Sequence, residues 1–228
     1  MKYKWLLFDA DSTLFDYDKA EETALKKAFE GNGLKCSEAY HKRYNRINKD
    51  LFDYLEKGLM TSKELRIKRF KLLFSEFDIN LEAVSFSTTY LDNLSQCSLL
   101  LPDALEVIRE LAENHKLLIV TNGIGDVQRP RINNSDISDY IDGFVISEEL
   151  GIAKPAKEYF DVAFEMMGKP DKNDVLIIGD SLSSDMTGGV NYGIDTCWFN
   201  PDKRPNDKIQ GITYEIDNLK QVIKIATG

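Results

Sequence analysis

Five short runs in this chain of 228 residues are apolar almost throughout. They are Tyr3–Asp9 (YKWLLFD), Lys116–Thr121 (KLLIVT), Gly143–Ser147 (GFVIS), Asp174–Asp180 (DVLIIGD) and Asp195–Phe199 (DTCWF). A strand with one wet face alternates apolar and polar residues; these do not. They fit strands buried on both faces, the situation inside a parallel sheet covered by helices. Helical patterns separate the later runs: PDALEVIRELAENH, PAKEYFDVAFEMMG and SDMTGGVNYG. Pro102 and Pro155 stand where a helix can begin without losing a needed donor. The alternation predicts an α/β fold with right-handed crossovers. A short sixth strand at ITYEI and a closing helix at DNLKQVIKI complete it.

Between the first two runs the rhythm breaks. From Tyr40 the apolar residues Tyr44, Ile47, Leu51 and Leu55 form a helical stripe, with Lys42, Arg43, Arg46 and Lys49 on a solvated face. Gly58 ends that helix. TSKE from Thr61 has the form of a capping box, with Glu64 three residues after the cap. A helix through Phe74 follows. This reading divides the chain into a core, residues 1–16 and 96–228, and an inserted helical cap, residues 17–95.

Lys and Arg number 29 against 38 Asp and Glu, a net charge of −9. Such a chain is a poor ligand for a nucleic-acid polymer or an anionic membrane. An anionic substrate would need local cations. Three widely spaced cysteines, Cys36, Cys97 and Cys197, argue against a disulfide framework. Two histidines make a histidine-rich metal site improbable. No signal peptide and no membrane-length apolar run is visible, so the expected location is cytoplasmic. PDKRPNDK from Pro201 reads as a solvated loop.

In a parallel sheet, ligands bind beyond the carboxyl ends of the strands, where strand order reverses. Four polar signals fall at such ends: Asp9 and Asp11; Thr121 and Asn122; Asp180 and Asp185 in GDSLSSD; and Lys154 in GIAKP, just before a helix. Each alone is an ordinary turn or surface residue. Together they form a constellation. Like charges about 4 Å apart repel by roughly 4 kcal/mol at an effective dielectric near 20. A cation among Asp9, Asp11 and Asp180 would relieve this, and Mg²⁺ suits oxygen ligands that leave room for substrate phosphate. Asp9 could then attack phosphorus. Asp11 could protonate the leaving alkoxide and later take a proton from water. Thr121, Asn122 and Lys154 suit the phosphoryl oxygens.

The set FDADSTL, TN, the Lys of GIAKP and GDSLSSD resembles the four motifs of the haloacid dehalogenase-like (HAD) superfamily, in its order. The resemblance implies a Rossmann-like sheet with helices on both faces and a helical cap inserted after the first motif. It implies Asp9 as nucleophile and metal ligand, and Asp11 as acid/base with a carbonyl on the metal. It implies Thr121 and Lys154 as phosphate binders with Asn122 beside them, Asp180 as metal ligand, and Asp185 as its supporting partner. The family often has Gly where Ser12 stands. Dehalogenases proper lack the second Asp of the first motif, so Asp11 favours phosphoryl transfer.

LFDYDKAEETALKKAF, INKDLFDYLEKGLMTSKELRIKRF and DGFVISEELGIAKPAKEYF resemble the noncanonical pyrimidine nucleotidases. That branch implies a Mg²⁺-dependent 5′-nucleotidase acting through an aspartyl-phosphate on a nucleoside 5′-monophosphate, with cap residues in Tyr40–Arg69 facing the nucleoside. Phe52 or Tyr54 could stack on a base, though core packing is the simpler use. The competing readings are a phosphatase for phosphoglycolate or a sugar phosphate, a phosphomutase, and a non-enzymatic scaffold or receiver domain. A receiver lacks the insert and the paired aspartates. GIGDVQ at Gly123 lacks the third glycine of a dinucleotide fingerprint. The expected partner is a small phosphorylated metabolite, and the expected state a monomer or small homo-oligomer. Leu14–Asp18 and Ser95–Leu101 are the connections expected to flex as the cap closes over the site.

Overall fold

The computed structural model describes residues 2–206 and 209–228. Its six strands are β1 (Trp5–Phe8), β2 (Lys116–Thr121), β3 (Gly143–Ile146), β4 (Val175–Gly179), β5 (Asp195–Phe199) and β6 (Tyr214–Ile216). All pair in parallel, in the order β3-β2-β1-β4-β5-β6. The fold is α/β and Rossmann-like, as expected. Ten helices accompany the strands among the described residues: α1 (Tyr17–Gly31), α2 (Glu38–Glu56), α3 (Ser62–Glu76), α4 (Ala83–Ser95), α5 (Ala104–Ala112), α6 (Gly125–Asn133), α7 (Ser147–Leu150), α8 (Lys157–Met166), α9 (Thr187–Tyr192) and α10 (Gln221–Thr227).

The continuous apolar runs have a simple cause. Successive strand residues point to opposite faces, and both faces are covered. Leu6, Phe8, Leu117, Ile119, Leu176 and Ile178 pack with Val107, Ile108 and Leu111 of α5 and Val222 of α10. Leu7, Leu118, Val120 and Ile177 face the other way, onto Tyr159, Phe160 and Phe164 of α8.

The chain divides into two compact units. One runs from the N-terminus to Tyr17, then Leu99–Gly125 and Ile132–Gly228; the other is Asp18–Ser98 with Asp126–Arg131. The first unit holds the sheet. Within it, Asp16 N donates to Leu99 O at 2.9 Å and Leu101 N donates to Leu14 O at 2.8 Å, so exit and return segments lie paired.

The second unit is helical. Its core is aromatic: Phe70 stacks on Tyr44 at 5.4 Å between ring centroids and meets Phe86 edge-on at 4.9 Å. Tyr44, Ile47 and Leu51 of the α2 stripe are buried. Lys57 N donates to Asp53 O at 3.3 Å as α2 ends, and Gly58 follows at φ +67°. The Thr61–Glu64 capping box forms in both directions. The second unit also takes in six residues of α6. Asp126 accepts from Arg66 Nη1 at 2.9 Å, and buried Arg131 donates from Nε to Cys97 O at 2.9 Å.

Two helices start later than their prolines suggest, at Ala104 and Lys157 rather than at Pro102 and Pro155. Among the described residues no helix is long and apolar enough to cross a membrane. In the loop read from Pro201 to Lys208, residues 201–206 are exposed, and Asp207 and Lys208 lie outside the described residues.

Candidate active site

The strand order reverses at β1, which pairs with β2 on one side and β4 on the other. This is the switch point at which such sheets open a crevice. Phe8 stands opposite both Ile119 and Ile178. Asp9 therefore emerges one residue beyond that row, Thr121 two beyond it on β2, and Asp180 two beyond it on β4. Asp9 N donates to Ile178 O at 2.9 Å, which holds the end of β1 against β4.

After Asp180 the chain winds through a wide π-type turn, Leu182–Met186. Asp185 N and Met186 N both donate to Ser181 O at 3.1 Å, and Ser181 Oγ accepts from Ser184 N at 3.2 Å. The turn brings Asp185 back beside β4, where its Oδ2 accepts from Ser181 N at 3.1 Å. A Cβ on Gly179 would lie 2.3 Å from Asp185 Oδ2. Only glycine leaves room for that carboxylate.

Lys154 reaches in from the connection between α7 and α8 and is 1% exposed. Its ammonium donates to Asp9 Oδ1 at 2.6 Å, to Asp185 Oδ1 at 2.7 Å and to Val120 O at 2.7 Å. Three acceptors take its three hydrogens. Asn122 holds the backbone of the same residue: its Nδ2 donates to Lys154 O at 2.9 Å, and its Oδ1 accepts from Lys154 N at 2.8 Å. Thr121 is buried and its Oγ1 accepts from Gly123 N at 3.0 Å. Asp11 is half-buried on the loop after β1, where its backbone bridges to Phe15.

One carboxylate oxygen from each of Asp9, Asp180 and Asp185 lies within 4.8 Å of the others. When ionised, the three carboxylates face the Lys154 ammonium and, at Asp180, the Arg204 guanidinium at 3.6 Å, so −3 + 2 leaves the cluster at −1. Burial raises the Asp9 carboxyl well above the usual range; Lys154 opposes the rise, and Asp185 and Asp180 add to it. Burial, then Asp185, pushes Asp180 up to about 7. Burial works against the Lys154 charge, but Asp185 and Asp9 outweigh it and raise Lys154. The cluster as a whole holds protons that isolated carboxyls would release. An all-oxygen donor set that stays net negative fits a hard divalent cation such as Mg²⁺.

The sequence model of the haloacid dehalogenase-like hydrolase family matches residues 3–193. This chain is a haloacid dehalogenase-like hydrolase. It is 33% identical over 222 residues to the pyrimidine 5′-nucleotidase YjjG of Escherichia coli K12, covering 97% of each chain. It is 34% identical over 224 residues to the pyrimidine 5′-nucleotidase PynA of Streptococcus pneumoniae, covering 98% of this hydrolase and 94% of the relative. Its fold superimposes on the HAD-hydrolase YfnB of Bacillus subtilis with a TM-score of 0.93, at 35% identity and full coverage of both chains. That crystal structure is bound to magnesium and reveals interdomain movement.

Sequence reasoning singled out the charged residues of this site but not what holds them. Ser181, Gly179 and the Val120 carbonyl shape the Asp185–Lys154 pair. Gly179 and Ser181 flank Asp180 in GDS, so their position was visible; their function as spacer and backbone donor was not. The placement of Asn122 on the Lys154 backbone had no signal in the sequence.

Proposed function

We propose that this hydrolase is a Mg²⁺-dependent phosphatase that cleaves nucleoside 5′-monophosphates, pyrimidine nucleotides foremost. The observation that carries this reading is the acidic cluster at the β1 switch point, tied to Lys154 and still net negative. The nucleotide preference is supported by the two pyrimidine 5′-nucleotidases that align with this chain almost end to end.

Asp9 and Asp180, with the backbone carbonyl of Asp11, would hold the metal, and Asp185 would support it. Bound there, Mg²⁺ supplies the positive charge that lets a carboxylate approach a phosphate dianion. Asp9 attacks phosphorus: a bond forms from its carboxylate oxygen, the bond to the ester oxygen breaks, and Asp11 gives the leaving alkoxide its proton. Water then attacks the aspartyl-phosphate, Asp11 takes the water's proton, and inorganic phosphate leaves as Asp9 is regenerated. Lys154 opposes the burial-driven rise of the Asp9 carboxyl and aims it. Thr121 lies at the adjacent strand end as a donor to phosphoryl oxygens, and Asn122 sets the Lys154 backbone. The helical unit would act as the cap that selects the nucleoside; its Tyr54 is half exposed.

The test is a screen of phosphorylated metabolites with Mg²⁺, with Asp9→Asn beside the wild type. Pyrimidine 5′-monophosphates are expected to rank first, and the variant to fall to background. Sugar phosphates or phosphoglycolate ranking above every nucleotide would overturn the substrate class. Substantial turnover by Asp9→Asn would overturn the mechanism.

A further inference from the structure

Residues 201–206, which follow β5 and Asn200, are exposed, yet Arg204 among them reaches the acidic cluster. Arg204 Nη2 donates to the backbone carbonyl of Asp180 at 2.7 Å and lies 3.6 Å from that residue's carboxylate Oδ2. The same carbonyl accepts a second bond, from Trp198 Nε1 at 3.0 Å. Trp198 is buried on β5, with its ring 5.8 Å from the Arg204 guanidinium carbon.

Arg204 is itself held. Its N donates to Asn200 Oδ1 at 2.9 Å, and its carbonyl accepts from Asn200 Nδ2 at 3.0 Å. Asn200 is buried, and its Nδ2 also donates to Glu215 Oε1 on β6 at 2.6 Å. The side chain of Asn200 thus closes residues 200–204 into a ring, with Lys203 at φ +52° completing the bend.

We propose that Arg204 is a positioning residue for metal binding: with Trp198 it pins the Asp180 carbonyl and so directs the Asp180 carboxylate into the cluster with Asp9. The shorter contact is to the carbonyl, so Arg204 acts first on the backbone of Asp180 and only second on its charge. This rests on the reading of Asp180 as a metal ligand given under Proposed function. Supporting partners of this kind typically hold metal affinity by about 10- to 100-fold.

The experiment titrates MgCl₂ alone, without substrate, into the wild type, Arg204→Ala, Arg204→Lys and Trp198→Phe. It follows the rise in Tm, which reports the apparent Kd through linkage. Arg204→Ala is expected to weaken Mg²⁺ binding by about 10-fold or more. Arg204→Lys, which keeps charge but not the planar fork, should recover only part of that. Trp198→Phe, which keeps the ring packing but not the donor, should shift binding in the same direction by less. Since Arg204 is half exposed, the Tm without Mg²⁺ should barely move. Mg²⁺ affinity in Arg204→Ala within about twofold of wild type, or tighter, would overturn the proposal. So would a lowered Tm without Mg²⁺ at unchanged affinity, the result of a purely structural role. A wild type that responds to no concentration of Mg²⁺ would remove the metal reading itself, and this inference with it. Asp180→Asn, which should abolish the response, separates these cases.

Discussion

Ser12 sits at φ +62°, in the left-handed region where a Cβ is strained. The loop leaves it little choice: Ser12 N donates to Phe15 O, and both Leu14 N and Phe15 N donate to Ala10 O, each at 2.9 Å. This explains physically why glycine is usual at the position. Ser12→Gly is expected to stabilise the protein by about 1 kcal/mol, a Tm rise of about 2–4 °C in a chain of this size. Thermal melts without metal check it; a fall in Tm would mean the Ser12 side chain contributes more than its backbone strain costs. Asp180 gives a pH dependence at the same scale. Its carboxyl titrates at about 7 when folded, against an ordinary value of 3.8. Between those values the folded state holds a proton the unfolded state has released. The group's contribution to stability is therefore full below about pH 4 and is lost as pH rises towards 7. Mg²⁺ bound there, as proposed, would have to displace that proton. A fixed Mg²⁺ concentration should raise Tm little near about pH 5.5 and progressively more up to about pH 7.5, with Asp180→Asn abolishing the trend. The charged residues at strand ends were legible only as a set: each alone has an ordinary turn or surface use, but together they fall where a parallel sheet opens its crevice. Their convergence was not legible, since Lys154 and Asp185 return to β1 through loops whose course depends on tertiary contacts.

At the scale of elements, segments with a local apolar pattern were readable, short strands and long helices alike, and a segment without one was not. The α2 stripe and the α3 capping box follow from local spacing and local hydrogen bonds, which the sequence displays directly. Helix α6 was missed. It opens on Gly125, carries Pro130 inside it, and alternates Asp126, Gln128 and Arg129 with few apolar residues. What holds it is tertiary: Arg66 on Asp126 and Arg131 on Cys97 O. A second feature hidden from periodicity lies under the aromatic rings of the helical unit. Arg69 is 1% exposed, 4.8 Å from the Tyr90 ring centroid and 5.1 Å from that of Phe70. Its Nη1 donates to Asn48 Oδ1 at 3.1 Å, and Asn48 Nδ2 donates to buried Glu21 Oε2 at 3.0 Å. This chain ties α1, α2 and α3 through polar groups that have no water to fall back on. Arg69→Met removes its cation and leaves Glu21 buried, and should destabilise by about 3–5 kcal/mol. Arg69→Met with Glu21→Gln should recover part of that loss in urea unfolding, because the two changes share one network. Strict additivity would show that Glu21 and Arg69 do not communicate through Asn48.

The largest scale is that of the whole charge. The α/β class was legible from five apolar runs, because a strand buried on both faces is apolar wherever it sits. The order β3-β2-β1-β4-β5-β6 was not, because adjacency is set by crossover packing rather than by any strand's own residues. Net charge needs no structure at all, and it makes a kinetic prediction. At −9 the molecule repels an anionic substrate at distances beyond the reach of Lys154. Close to the cluster the interactions are buried and weakly screened; farther out they decay over a Debye length of about 8–10 Å. Salt therefore acts on encounter and leaves the reacting centre nearly untouched. With Mg²⁺ saturating and a nucleoside monophosphate as substrate, raising KCl from about 20 to about 150 mM should leave kcat unchanged and raise kcat/KM by up to about twofold. A basic-steered enzyme would show the opposite slope. If kcat/KM falls with salt here, the field at the mouth of the site is positive despite the total, and the net charge does not govern how substrate arrives.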